Sequence, residues 1–415
     1  MAATALVAWG ATTPVARAAD PLEVSLCRTF PPAEQKAAEA WQMERLKLSE
    51  AWRLATGKGV SIAVIDTGTS NQNTAYFNPN NVRSQNMVPI DDQDRKNGLD
   101  CDHGTGVVSL INSSRTVQDP RTNFAGVAPD AEVLALRALK VPRDEQGRTE
   151  ADPLGPTIKA VEEAIKQRVR IINISQVAAN DDPAYRKVIA KAIAANIIVV
   201  AAAGNSDQGL NGPAYPAAYP GVISVGASLP DDRPSEASYS AVGWEVTVAA
   251  PGEGVTVLRP SAAVKGNRDE AKLVTNQAYD TKTGTSFAAP LVTGVVALML
   301  ELNGDLTPAQ VKQRLVETAD RPVGTPPHPQ LGWGVVNPLR ALTGPAVATS
   351  GNPTPSSTRS AVTNTTPPAR DSRPQLITLG VVAGAGALAV LALTLKLVLP
   401  AASRRDFAPA DPPTD

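Results

Sequence analysis

A chain of 415 residues holds one large domain or two ordinary ones. Its 39 basic and 40 acidic side chains nearly cancel, which argues against nucleic acid as a partner, since such binders carry a basic excess. Aromatic residues make up only 4%, and the apolar content rests on Ala, Val, Leu and Ile, which suits a helix-covered parallel sheet.

In chain order, residues 1–18 contain the apolar stretch Ala2–Ala11 and end in Ala16-Arg17-Ala18, the small-residue pattern of a signal-peptide cleavage site. No Lys or Arg precedes Arg17, so the reading rests on those two features and not on a basic leader. Residues 19–40, with Pro21, Pro31 and Pro32, read as an irregular extension. Residues 41–342 read as the globular domain. Within it, Val60–Ile65, Glu132–Arg137, Arg170–Ile174, Ile197–Ala202 and Val222–Val225 are short apolar runs predicted to be buried strands. Helical patterns near Gly104–Asn112, Thr157–Gln167 and Ala184–Ala195 lie between them. The alternation predicts an α/β fold, a parallel sheet flanked by helices on both faces. Ser286–Leu302 reads as a long apolar helix. Thr307-Pro308 then caps and opens another, since Thr accepts an orphan N–H and Pro fits the first turn.

Beyond the domain the composition changes. Residues 343–375 are dominated by Pro, Ser, Thr, Asn and Ala, too little apolar surface to offset chain entropy, and read as an extended linker. Residues 376–399 read as a transmembrane helix. Leu376–Leu395 carries no charge, and twenty helical residues rise about 30 Å, the thickness of the hydrocarbon core. With an export signal at the N-terminus, the domain is expected outside the membrane and residues 400–415 form a short cytoplasmic tail. The two cysteines, Cys27 and Cys101, read as a disulfide in an exported chain, against the alternative of two unrelated buried thiols.

The chain has only two histidines. His328 sits in Pro326-Pro327-His328-Pro329, a rigid loop poorly placed to face a nucleophile. His103 sits in Asp102-His103-Gly104-Thr105-Gly106, at the mouth of a helical stretch. Two further segments join it in the order Asp, His, Ser. Val64-Ile65-Asp66-Thr67-Gly68 ends a buried strand in a carboxylate. Gly284-Thr285-Ser286-Phe287-Ala288-Ala289-Pro290 puts a serine at the start of an apolar helix. Singly, an Asp at a strand end caps a turn and a Ser before a helix is an N-cap. Together they have the composition of a nucleophile, a base and an orienting acid.

These three segments resemble the motifs of the subtilisin-like serine proteases, whose catalytic residues follow the same chain order. Gly126-Val127-Ala128-Pro129, Ala203-Gly204-Asn205, Tyr215-Pro216-Ala217-Ala218-Tyr219-Pro220 and Ala250-Pro251-Gly252 add to the resemblance, which spans about Trp41–Leu342. The layout of signal, short extension, protease, linker, membrane helix and tail resembles the mycosins, the membrane-anchored subtilases of type VII secretion. The resemblance implies a serine endopeptidase with catalytic Asp66, His103 and Ser286, and Asn205 as oxyanion donor. It places substrate-binding edges at Ser175–Ala178, with Ser175 and Gln176, and at Ala202–Gly204, with Ala202 and Gly204. Its implied partners are a protein or peptide substrate and subunits of a membrane secretion complex. A structural subunit of that complex with dispensable proteolysis is the alternative.

Two departures from the family carry expectations. Many subtilases have Ser-Leu-Gly-Gly where this chain has Ser175-Gln176-Val177-Ala178, which predicts a narrower groove and a selective enzyme. Residues 19–40 are too few for a folded pro-domain, which predicts a wrap stapled by Cys27–Cys101 in place of a cleavable inhibitor. There is no EF-hand loop and no His/Cys cluster, and Asp91-Asp92-Gln93-Asp94 reads as a solvated charge cluster, so no metal or other cofactor is expected to be required. A histidine base of ordinary pKa predicts activity that falls below about pH 6.5.

Overall fold

The computed structural model describes residues 27–28, 40–70, 76–78, 80–115, 123–140, 154–210, 212–238, 246–260 and 279–344. The expected signal peptide, most of the extension and linker, the transmembrane helix and the tail lie outside the described residues.

Seven parallel strands form the centre. They are β1 (Ser61–Asp66), β2 (Val82–Asn86), β3 (Glu132–Arg137), β4 (Ile171–Ile174), β5 (Ile198–Ala202), β6 (Ile223–Ser228) and β7 (Val248–Pro251), in the spatial order β2-β3-β1-β4-β5-β6-β7. A separate antiparallel pair joins β8 (Val255–Leu258) to β9 (Tyr279–Lys282). The five strands expected from apolar runs are present. β2 and β7 to β9 are additions. β2 (VRSQN), one of the two edge strands, carries only one buried side chain, Val82.

The helices are α1 (Trp41–Arg45), α2 (Leu48–Ala51), α3 (Asp92–Asn97), α4 (Asp102–Asn112), α5 (Leu154–Lys166), α6 (Pro183–Ala194), α7 (Thr285–Leu302), α8 (Pro308–Thr318) and α9 (Pro338–Thr343). Strand alternation divides the interior into two cores. Ile62, Val64, Val133, Ala135, Ile171, Ile198 and Val200 pack on the face that meets α4 and α7. Ala63, Ile65, Leu134, Leu136, Ile172, Ile174, Val199 and Ala201 pack on the face that meets α5 and α6. Apolar runs on both faces are thus the signature of a sheet covered twice. Each fully buried aliphatic side chain stabilises this arrangement by about 1.5–3 kcal/mol.

α7 runs through the first core. Among the described residues it is the one helix long and apolar enough to cross a membrane, yet 89% of it is buried inside the protein, so it is a core helix. α8 begins as expected, with Thr307 Oγ1 accepting from Gln310 N at 3.3 Å and Pro308 in the first turn.

Strand order reverses at β1. The chain passes from β1 to β2 and β3 on one side, then to β4 on the other. In such sheets ligands bind at the carboxyl ends of strands beside the switch point. Asp66 ends β1, Ser175 follows β4 and Asn205 lies just past β5.

Candidate active site

Asp66 is 1% exposed at the end of β1. Its Oδ1 accepts from the Thr67 N–H at 2.7 Å and pairs with His103 Nδ1 at 2.8 Å. A carboxylate is an acceptor only, so the ring carries its proton on Nδ1 and leaves Nε2 as the basic atom. His103 is the second residue of α4. Gly104 follows it because a Cβ there would lie 2.0 Å from the Gly68 carbonyl oxygen and 3.1 Å from Asp66 Oδ1. Gly104 N donates to Thr67 Oγ1 at 3.1 Å and Ser70 N to Thr105 Oγ1 at 3.0 Å. These two bonds stitch the loop after Asp66 to the first turn of α4, which fixes the Asp–His pair from both sides.

The His103 side chain is 34% exposed. Phe287 lies against it, ring centroids 5.0 Å apart. Burial pulls the His103 pKa down. The charge and hydrogen bond of Asp66, helped by the charge of Asp102, outweigh that, so the pKa lies above the usual 6.5. Lys282 opposes them, because its ammonium disfavours a second cation nearby.

Ser286 is buried in the first turn of α7, where the helix N-terminus carries partial positive charge. Gly284, two residues before it, has φ +143°, in the region that favours glycine. A Cβ on Gly284 would lie 3.2 Å from Asn205 Nδ2 and 3.4 Å from Ser286 Oγ, so these two atoms border the same space. Asn205 is oriented by Thr285, whose N–H and Oγ1–H both donate to Asn205 Oδ1, at 2.9 and 3.1 Å. Thr285 Oγ1 in turn accepts from Gly204 N at 3.1 Å. With its amide oxygen held by Thr285, Asn205 keeps Nδ2 at the space that Ser286 Oγ also borders. Sequence reasoning missed Thr285, although its place between Gly284 and Ser286 was in plain view.

The residues expected to bind substrate take several positions. Ser175 is buried, and its hydroxyl donates to the Ser286 carbonyl at 2.8 Å. Gln176 turns its amide onto Thr157 Oγ1 of α5 at 2.7 Å. Ala178 exchanges both main-chain hydrogen bonds with Tyr215, at 2.7 and 2.9 Å, so that end of the edge is already paired. Ala202 is buried at the end of β5, and Gly204 is held by Thr285.

Cys27 and Cys101 form a disulfide, and Arg28 N donates to the Leu99 carbonyl at 2.8 Å. The bridge ends two residues before His103. His328 accepts from the Gln330 and Leu331 N–H groups at 3.1 and 3.3 Å, and so serves a turn away from this constellation. The acidic run is an ion-pair cluster: Asp91 caps α3, and Lys140 reaches Asp91 and Asp94 at 2.5 and 3.0 Å. Among the described residues no group of three His, Cys, Asp or Glu is placed to hold a metal.

Comparison with known proteins places this geometry. Residues 57–334 match the Subtilase family, Peptidase S8. Mycosin-4 of Mycobacterium tuberculosis is 32% identical over 412 residues, covering 91% of this chain and 83% of that protein. Subtilisin E of Bacillus subtilis is 32% identical over 270 residues, covering 64% of this chain and 61% of that protein. The structure of MycP1, described as a serine protease and an essential component of the type VII (ESX-1) secretion system, superposes with a TM-score of 0.59 at 30% identity, covering 78% of this chain and 92% of that one.

Proposed function

Since the chain belongs to the subtilase family and is a serine endopeptidase, we propose that it cleaves peptide bonds through an acyl-enzyme formed on Ser286, outside a membrane to which it is anchored and as part of type VII protein secretion. The observation that carries the chemistry is the 2.8 Å contact between His103 Nδ1 and Asp66 Oδ1, which sets the tautomer a general base needs.

In this reading Ser286 Oγ attacks the scissile carbonyl and passes its proton to His103 Nε2. Asp66 holds the imidazole and stabilises the imidazolium. The carbonyl oxygen becomes an oxyanion within reach of Asn205 Nδ2 and the N-terminus of α7. His103 then protonates the leaving amine, and water hydrolyses the acyl-enzyme by the same steps. A peptide substrate adds as a strand to the edge at Gln176 and Val177 and to that at Ala202–Gly204. The Gly-to-Val and Gly-to-Ala departures at Val177 and Ala178 support a selective enzyme, and all of this proton and charge handling comes from protein groups without a cofactor.

Membrane anchoring rests on the uncharged run Leu376–Leu395, and the secretion role on similarity to mycosins. Labelling of the full chain by an organophosphonate probe tests the mechanism: it is expected to vanish in Ser286→Ala, and survival of the label would remove Ser286 as nucleophile. MycP1 is described as a component of its secretion system, and membership of such a complex also supports a structural contribution as a second reading. Complementation of a deletion strain by Ser286→Ala separates the two, since full rescue of secretion supports the structural role and no rescue supports catalysis.

A further inference from the structure

α7 contains Pro290, four residues beyond Ser286. Proline has no N–H, so the i→i−4 hydrogen bond that would end on the Ser286 carbonyl is missing. The carbonyl of the nucleophile's own residue therefore needs another donor. Ser175 Oγ supplies it at 2.8 Å. A hydroxyl rotates freely unless something fixes it. Here Asn173 Nδ2 donates to the Ser175 oxygen at 3.0 Å, which directs the Ser175 proton toward Ser286. Asn173 Oδ1 accepts in turn from Thr293 Oγ1 at 2.9 Å, and Thr293 lies two turns further along the same helix. Asn173 and Thr293 are both 0% exposed, and Ser175 is 5% exposed. Asn173 interrupts the face of β4 on which Ile171 packs toward α7. A buried amide there is destabilising unless both its ends are satisfied, and this chain satisfies both.

We propose that Asn173 and Thr293 are positioning residues for the nucleophile: with Ser175 they form a brace from β4 to two points on α7, and this brace sets where Ser286 Oγ stands between His103 and Asn205. The inference rests on Ser286 being the nucleophile. A displacement of about 1 Å in a reacting group costs up to about 100-fold in rate, so small errors at the Ser286 backbone are read directly in turnover.

Thr293→Val keeps the shape and removes the hydroxyl. With active sites counted by titration, its kcat on a peptide ester is expected to fall about 10- to 100-fold, with KM within about twofold of wild type. Thr293→Ser restores the hydroxyl and is expected to restore kcat. A Thr293→Val enzyme with wild-type kcat overturns the brace, and so does a Thr293→Ser enzyme as impaired as Thr293→Val. Should Thr293→Val fail to fold, Ser175→Ala reads the same brace from its other end: an unchanged kcat per titrated site overturns the inference, and a matching fall supports it. Probe labelling that survives Ser286→Ala overturns the nucleophile and the brace together, whereas label lost in Ser286→Ala with kcat intact in Thr293→Val overturns the brace alone.

Discussion

Lys282 Nζ holds the Asp102 carboxylate at 2.8 Å, one residue before the histidine that pairs with Asp66. Lys282 ends β9, so this ion pair ties the antiparallel β8–β9 pair to the first turn of α4. It also partly offsets the Asp102 charge, which favours the imidazolium. Its second partner is Asp280, at 2.9 Å.

The pH dependence of turnover follows from that arrangement. A general base works only when neutral. The His103 pKa is raised above 6.5, so the acid limb of kcat/KM is expected above pH 6.5 in the wild-type enzyme. Lys282→Met removes an opposing cation and frees the Asp102 carboxylate, and both effects raise the His103 pKa further. The limb is expected to move to higher pH. Asp102→Asn removes a favourable anion and is expected to move it down. A pH–rate profile for each variant checks the signs, and a Lys282→Met limb that stays put or falls would contradict this account.

These relationships were legible in the sequence to different depths. The buried strands declared themselves because the sheet is covered on both faces, so Val60–Ile65 and Ile197–Ala202 read as unbroken apolar runs. The same uniformity hid which residue faces which core, since Ile62 and Ala63 look alike in a run without polar marks. The edge strand β2 escaped because one buried residue in five leaves no pattern. Asp66, His103 and Ser286 stood out through their neighbours, above all the glycines that close approach demands at Gly104 and Gly284. What could not be read was the layer beneath them. Thr285, Asn173 and Thr293 act through hydrogen bonds between segments distant in the chain. Asn173 did leave one signal, a lone amide inside the apolar run Ile171–Ile174.

Oxyanion stabilisation is expected to depend on Asn205 and, through it, on Thr285. Asn205→Ala should lower kcat about 10²- to 10³-fold with little change in KM, a magnitude established for the corresponding donor in the relative subtilisin. Thr285→Val removes one of the two bonds that hold Asn205 Oδ1 and leaves the Thr285 N–H in place. Its kcat loss is expected to be smaller, about 10-fold, and to disappear in the Asn205→Ala background, because the two residues then act on the same donor. Steady-state kinetics on the four proteins of this cycle decide it; fully additive losses would separate the two roles.

The disulfide offers a test of how the segment around Cys27 serves the enzyme. Its two cysteines are 74 residues apart, and closing a loop of that length restricts the unfolded chain by roughly 4 kcal/mol on the chain-entropy account. The bridge ends at Cys101, the N-cap of α4, so its loss also loosens the approach to His103. The Asp66–His103 pair has its own ties through Thr67–Gly104 and Ser70–Thr105, which do not pass through the cysteines. Reduction of the wild-type protein is therefore expected to lower stability by about 2–5 kcal/mol, read as a lower denaturant midpoint, while leaving kcat at low temperature within about twofold. Cys27→Ser/Cys101→Ser should show the same midpoint and no further response to reductant. A stapled wrap and an inhibitory segment part company here: release of a wrap costs stability and gains no activity, whereas release of an inhibitor raises kcat/KM. A rise in kcat/KM for the double variant, measured on the full chain without proteolysis, would make the segment an inhibitor.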